Sequence, residues 1–231
     1  MPDPKPNVIQ ALCQGLIVSC QAPVDSPLHE PTVIAAIAQA ALNQGAVGVR
    51  IDTPAHISAV RQRSLAPLIG LWKQQLAGYE VYITPQFHHA AEIARAGADI
   101  IAIDATLRNR PGGETVATLI KRIHEELGKQ VLADVDTIDA AIAAEASGAD
   151  LVATTLYGYT ARTNHLCAPG FDLLTQLIER LDIPAICEGG ISSPQLARHA
   201  LDLGAYAVVV GTAITGIDHQ LKRFAQGVPL R

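Results

Sequence analysis

The chain reads as one α/β domain over residues 1–231, a (β/α)8 barrel of the TIM type. Three observations predict this. Eight apolar runs, each followed by a helical stretch, can be counted from residue 15 to the C-terminus. Gly-Ala pairs at Gly45-Ala46, Gly97-Ala98, Gly148-Ala149 and Gly204-Ala205 recur at spacings of 52, 51 and 56 residues. Each spacing is the length of two strand–helix units, with glycine as a left-handed helix cap and small alanine starting the return into the sheet. Finally, no clear Gly-x-Gly-x-x-Gly follows the first apolar run, as an open dinucleotide-binding sheet would show.

The elements follow in order. Residues 1–7, Met-Pro-Asp-Pro-Lys-Pro-Asn, read as a poorly ordered leader. Gly15 to Gln21 is the first strand, and Thr32 to Gln44 an alanine-rich helix stopped by Gly45. Val47 to Ile51 is the second strand, and the helix from Pro54 to Arg63 starts on a tolerated first-turn proline. Pro67 to Lys73 is the third strand. Val81-Tyr-Ile-Thr84 has strand character but follows too soon for a full unit, so it is placed in a loop. A helix over 85–96 precedes the continuous apolar run Asp99 to Asp104, as expected of a strand buried on both faces. Glu114 to Leu127 is helical, Gln130 to Asp134 a strand, and Thr137 to Ser147 a helix. Asp150 to Thr155 is the sixth strand, followed by a long polar and aromatic loop and a helix over 171–181. Pro184 to Glu188 is the seventh strand, leading to a helix begun by Ser193-Pro194. Tyr206 to Val210 is the eighth, before a last helix over 214–226.

Composition narrows the function classes. Hydrophobic residues make up 49% and charged residues 17%, which supplies a core and argues against disorder. A net charge of −5 without a basic patch argues against nucleic acid as the main partner. There is no 18-residue apolar span and no signal-peptide pattern, so neither a membrane nor export is expected. Cys13, Cys20, Cys167 and Cys187 form no Cys-x-x-Cys pair and are read as reduced thiols of a cytoplasmic protein.

In such a barrel the working face lies at the C-terminal ends of the strands. Those ends carry Gln21, Arg50, Lys73, Asp104, Asp134, Thr154-Thr155, Glu188 and Gly211. Strand mouths meet solvent and are polar for that reason alone. Solvent contact explains less well why a lysine, an arginine and three carboxylates should converge on one small opening, where they would shift one another's proton affinities. Gly189-Gly190 after the seventh strand and Gly211-Thr212 after the eighth sit where these barrels often hold a phosphate group; tight turns alone would also account for them. Lys73, across the opening, can act as a base if partly desolvated, or can serve as an ion-pair partner of Asp104 or Asp134. None of the eight histidines falls at a strand end, so no metal site is expected. Cys20 and Cys187 lack an evident histidine partner and read as small core residues.

Six blocks carry a family pattern in order: Gly-Leu-Ile-Val-Ser-Cys-Gln (15–21), Ile-Gly-Leu-Trp-Lys (69–73), Ile-Asp-Ala-Thr (103–106), Thr-Thr-Leu-Tyr-Gly-Tyr-Thr (154–160), Glu-Gly-Gly (188–190) and Val-Gly-Thr-Ala-Ile-Thr (210–215). The chain resembles the bacterial N-acetylmannosamine-6-phosphate 2-epimerases of sialic acid breakdown over nearly everything after residue 14. The resemblance implies a ribulose-phosphate-binding type of barrel. It also implies interconversion of N-acetylmannosamine 6-phosphate and N-acetylglucosamine 6-phosphate without metal or organic cofactor, and a homodimer. It implies that Lys73 transfers the proton and Glu188 is its acid/base partner, with Gln21, Arg50 and Asp134 orienting substrate; Thr155 joins them as an expected substrate contact. One departure stands out: the family usually follows Ala-Ile-Thr with an arginine, and here Gly216 follows. A metal-dependent pentose-phosphate epimerase and a non-catalytic phosphosugar-binding barrel are the competing readings.

Overall fold

The computed structural model describes residues 8–228, so the expected leader over 1–7 lies outside the described residues. Eight parallel strands close into a barrel in sequence order. They are β1 (Leu16–Cys20), β2 (Gly48–Asp52), β3 (Leu68–Leu71), β4 (Ile100–Asp104), β5 (Gln130–Asp134), β6 (Leu151–Ala153), β7 (Ala185–Glu188) and β8 (Ala207–Val210). β8 pairs back onto β1, with Leu16 opposite Val208 and Val18 opposite Val210, which closes the ring. The outer layer is α1 (Pro31–Asn43), α2 (Pro54–Arg61), α3 (Phe87–Ala96), α4 (Val116–Arg122), α5 (Ile138–Ala146), α6 (Phe171–Arg180) and α7 (Pro194–Asp202). The short α8 (Thr212–Thr215) and then α9 (Ile217–Ala225) complete the chain.

Alternation along each strand divides the core in two. Ile17, Ile69, Leu71, Ile100, Ala102, Leu132 and Val209 point inward and fill the barrel. Val18, Val49, Ile51, Ile101, Ile103 and Val131 point outward against the helices. Leu12, on a single 3-10 turn before β1, is fully buried in the inner cluster and plugs the end opposite the strand mouths. Gly48 permits this, since a Cβ there would lie 2.8 Å from the Leu12 side chain.

The four repeated junction glycines all take positive φ, between 92° and 110°, as left-handed caps require. Threonine or serine side chains cap α2, α4, α5 and α7 at Thr53, Thr115, Thr137 and Ser193.

Three segments differ in detail from the sequence reading. The helix expected over 114–127 is α4 followed by a turn of π-helix at Ile123–Leu127. The expected last helix is broken at Gly216 into α8 and α9. Residues 82–84, placed in a loop, run antiparallel to 72–74 through a Lys73–Ile83 bridge. Gln74 N–H donates to Tyr82 O at 2.8 Å, and Asp104 N–H donates to Ile83 O at 2.8 Å. Direct β3–β4 pairing ends at Gly70–Ile101, and this segment fills the gap above it. Buried main-chain groups at the rim need partners, and the inserted segment supplies them.

Candidate active site

The mouth of the barrel is organised around Arg50. It is an inward-facing residue of β2, wedged at 1% exposure between β5 and β7. Its Nη1 and Nη2 donate to the two Asp134 oxygens at 2.9 and 2.6 Å, and Nη1 also reaches Glu188 Oε2 at 2.5 Å. Burial by itself would lower the proton affinity of this guanidinium, but Asp134 and Glu188 outweigh it and keep it charged. Thr155, just past β6, donates to Asp134 Oδ1 at 2.6 Å. Asp134 is fully buried and therefore anchors the cluster from beneath.

Glu188, the last residue of β7, is the carboxylate that remains near the surface of this cluster, its side chain 13% exposed. Burial pushes its pKa from 4.5 up to about 7; Arg50 pulls the other way and Asp134 adds a like charge. A buried carboxylate next to a second one gives up its proton late. Its main chain is fixed by Thr154, whose hydroxyl donates to Glu188 O at 2.8 Å and accepts from Glu188 N–H at 3.0 Å.

Lys73 stands two residues beyond β3. Its Nζ donates to Gln21 Oε1. Gln21 Nε2 in turn donates to Ser19 Oγ at 2.9 Å, so the amide that receives the lysine is itself oriented. Partial desolvation among the surrounding loops lowers the Lys73 proton affinity, Asp52 opposes this, and Arg50 lowers it further. A lysine so placed is closer to shedding its proton than one in water.

The glycines lie side by side across the opening, because Glu188 of β7 is in register with Val209 of β8. Gly189 and Gly190 have φ of +103° and +69°, and a Cβ at Gly190 would sit 2.7 Å from the Cβ and carbonyl carbon of Ala168. Gly211 is the N-cap of α8, and Thr212, its first residue, is exposed. Among the described residues, the main-chain N–H groups of Gly189, Gly190, Gly211 and Thr212 donate to no protein acceptor. Unpaired N–H groups at neighbouring turns are the kind of donors that can hold an anion. At Gly216 a Cβ would lie 2.8 Å from Thr212 O, so the chain turns here in a way that only glycine fits without a shift.

Asp104 stays apart from this cluster. It accepts from Thr106 Oγ1 at 2.7 Å and from Arg108 Nη2 at 2.8 Å, and Lys73 pairs with neither Asp104 nor Asp134. Cys20 and Cys187 are buried thiols whose pKa values burial raises to about 12 and about 11, so neither is poised as a nucleophile. Among the described residues no three His, Cys, Asp or Glu side chains are grouped to hold a metal ion. A separate concavity of about 600 Å³ opens beside α4, lined by Arg108, Arg110 and Glu114, and contains none of the expected site residues.

Two site residues were missed in the sequence. Asp52 follows Arg50 by two positions on β2, so strand alternation points both inward; ending the strand at Ile51 hid it. Tyr82 belongs to the inserted segment, packs on the inner cluster, and has its pKa raised to about 12 by burial and by the charges of Asp134 and Asp104. No local pattern marks it, since its place depends on which strands the segment joins.

With this geometry in view, residues 34–229 match the family model described as "Putative N-acetylmannosamine-6-phosphate epimerase". The chain belongs to that family. A relative from Thermosynechococcus vestitus, named "Putative N-acetylmannosamine-6-phosphate 2-epimerase", is 58% identical over 218 residues, covering 94% of this chain and 95% of the relative. One of the same name from Synechococcus elongatus is 56% identical over 225 residues, covering 96% and 97%. The solved N-acetylmannosamine-6-phosphate 2-epimerase from Clostridium perfringens superposes with a TM-score of 0.92 at 38% identity, covering 96% of each chain. Thiamine phosphate pyrophosphorylase from Pyrococcus furiosus, at 16% identity and a TM-score of 0.62, shares the fold alone. The likeness to the epimerases thus runs over nearly the whole barrel.

Proposed function

We propose that the chain interconverts N-acetylmannosamine 6-phosphate and N-acetylglucosamine 6-phosphate, with Lys73 as the base and Glu188 as the acid/base group of ring opening. Inverting the carbon that bears the acetamido group means removing a proton next to a carbonyl, which exists only in the ring-opened aldehyde. The task needs a group to open the ring, a group to take and return the carbon-bound proton, and positive charge near the enolate oxygen. The observation that carries the reading is the shared mouth. Glu188, with a pKa near 7, serves as both donor and acceptor at neutral pH, and Lys73 faces the same opening with lowered proton affinity. Arg50 and Asp134 lie beneath, holding Glu188 and placing a fixed positive charge under the site. Gln21 and Thr155 orient Lys73 and Asp134 respectively and line the way to substrate. The free N–H groups of Gly189, Gly190, Gly211 and Thr212 hold the phosphate end.

Purified protein given N-acetylmannosamine 6-phosphate in deuterated water, followed by proton NMR, tests this. Loss of the proton signal at the acetamido-bearing carbon and appearance of the second sugar phosphate are expected. No exchange and no product would leave only a phosphosugar-binding barrel.

For the assembly, α9 supports a homodimer. None of its residues is buried, and Ile217, Leu221 and Phe224 form one exposed apolar face, with Phe224 75% exposed. A second copy of the chain covers this face in a homodimer, since an apolar stripe of this kind is otherwise left in water. Four unpaired cysteines, two of them buried as thiols, suit a reducing compartment such as the cytoplasm. No described helix is long and apolar enough to cross a membrane.

A further inference from the structure

We propose that Asp52 is a positioning residue for Lys73, holding the lysine's main chain at the barrel rim and adding a carboxylate to the charges around it. The inference rests on the reading of Lys73 as the base.

Strand geometry brings the two together. On β2, Val49 and Ile51 pack outward against the helices, leaving Arg50 and Asp52 to point inward, Asp52 one layer nearer the mouth. Asp52 is in register with Leu71 of β3, so Lys73 is the next inward position along that strand. Here the main-chain ladder between β2 and β3 ends: Thr53 N–H makes a last bond to Leu71 O at 2.9 Å. Thr53 then turns the chain away at φ +72°, a left-handed conformation that a β-branched residue adopts at a cost of about 1–3 kcal/mol. The Asp52 side chain takes over where the main chain departs, and its Oδ1 accepts the Lys73 N–H at 3.0 Å. On its other side Lys73 lies opposite Ile83 of the inserted segment, held there by its neighbours: Gln74 N–H donates to Tyr82 O at 2.8 Å and Thr84 N–H to Trp72 O at 2.9 Å.

The charges divide the same way. Arg50 is engaged by Asp134 and Glu188. The groups acting on Lys73 are Asp52 and Arg50 from β2, Asp134 from β5 and Glu188 from β7. Lys73 is open to solvent at the rim, and partial desolvation there lowers its proton affinity; among the carboxylates that oppose this Asp52 acts most strongly. The groups acting on Asp52 are Lys73 and, from α2, His56; burial raises the affinity of this carboxylate for a proton. A base that must take a proton and give it back works best with a pKa near the operating pH. Asp52 sets that point by limiting how far desolvation drives Lys73 down.

The test uses the full chain and two readouts. Lysine titration is followed by NMR of protein carrying 13C-labelled lysine, with the Lys73 signal assigned by its loss in Lys73→Ala. Asp52→Asn keeps the shape and an acceptor oxygen but removes the charge, so Lys73 should titrate at lower pH than in the native chain. Asp52→Ala also removes the main-chain tie, so kcat should fall roughly tenfold or more with KM within about twofold, the pattern of a displaced catalytic group. Should the Asn variant not fold, Asp52→Glu keeps the charge and moves the oxygen, and is expected to lower kcat with Lys73 titrating as in the native chain. An unmoved Lys73 titration in Asp52→Asn, a shifted one in Asp52→Glu, or a normal kcat in Asp52→Ala overturns the role of Asp52. Near-normal exchange in Lys73→Ala overturns the reading of the base itself, which separates the two failures.

Discussion

Replacing Glu188 by glutamine should remove catalysis and, above neutral pH, make the protein more stable. The carboxyl of Glu188 has its pKa raised from 4.5 to about 7 by burial. Below pH 4.5 it is protonated in both folded and unfolded chains and contributes nothing to the pH dependence. Between 4.5 and 7 the unfolded chain releases the proton while the folded chain keeps it, so stability falls as pH rises. Integrated from pH 5 to pH 8, the loss is on the order of 2–3 kcal/mol. Glutamine has no such proton and keeps an acceptor oxygen for Arg50 Nη1. Urea unfolding of native and Glu188→Gln protein at pH 5 and pH 8 should therefore show the variant gaining on the order of 2–3 kcal/mol on the native chain across that interval. Turnover should fall by orders of magnitude at either pH. A stability difference that does not change with pH, or that moves toward the native chain, would refute the claim that the ionised carboxylate is costly here. Near-normal turnover would remove Glu188 from the chemistry.

Three other perturbations follow from the same packing. Arg50→Ala leaves Asp134 and Glu188 facing each other without their cation, and should cost about 3–5 kcal/mol in urea unfolding; a loss within 1 kcal/mol would mean the cluster rearranges freely. Gly190→Ala forces a Cβ to 2.7 Å from Ala168 at a φ of +69°, and should destabilise by about 1–3 kcal/mol while raising the KM for the sugar phosphate; an unchanged KM would count against the phosphate cradle. Leu221→Lys combined with Phe224→Lys should yield a monomer in sedimentation velocity while the native chain sediments as a dimer; a native monomer would dismiss α9 as the interface.

Much of this protein was legible in the chain itself, because barrel strands and their capping glycines are local features. Apolar runs such as 99–104 could be read directly, since a strand covered on both faces cannot hide its composition. Gly45, Gly97, Gly148 and Gly204 marked the helix ends because only a left-handed residue turns the chain there. Strand-end residues such as Lys73, Asp134 and Glu188 were findable because closure of the barrel brings every strand end to one opening. Tertiary structure alone decided the pairings within that opening. It gave Lys73 to Gln21 and Asp52 rather than to Asp104 or Asp134, and set Arg50 between two carboxylates. It also slid residues 82–84 in above the β3–β4 pairing, where their main-chain groups meet Trp72, Gln74 and Asp104. These pairings join residues tens of positions apart, and they follow from barrel register and from the need of each buried polar group for a partner, neither of which local composition records.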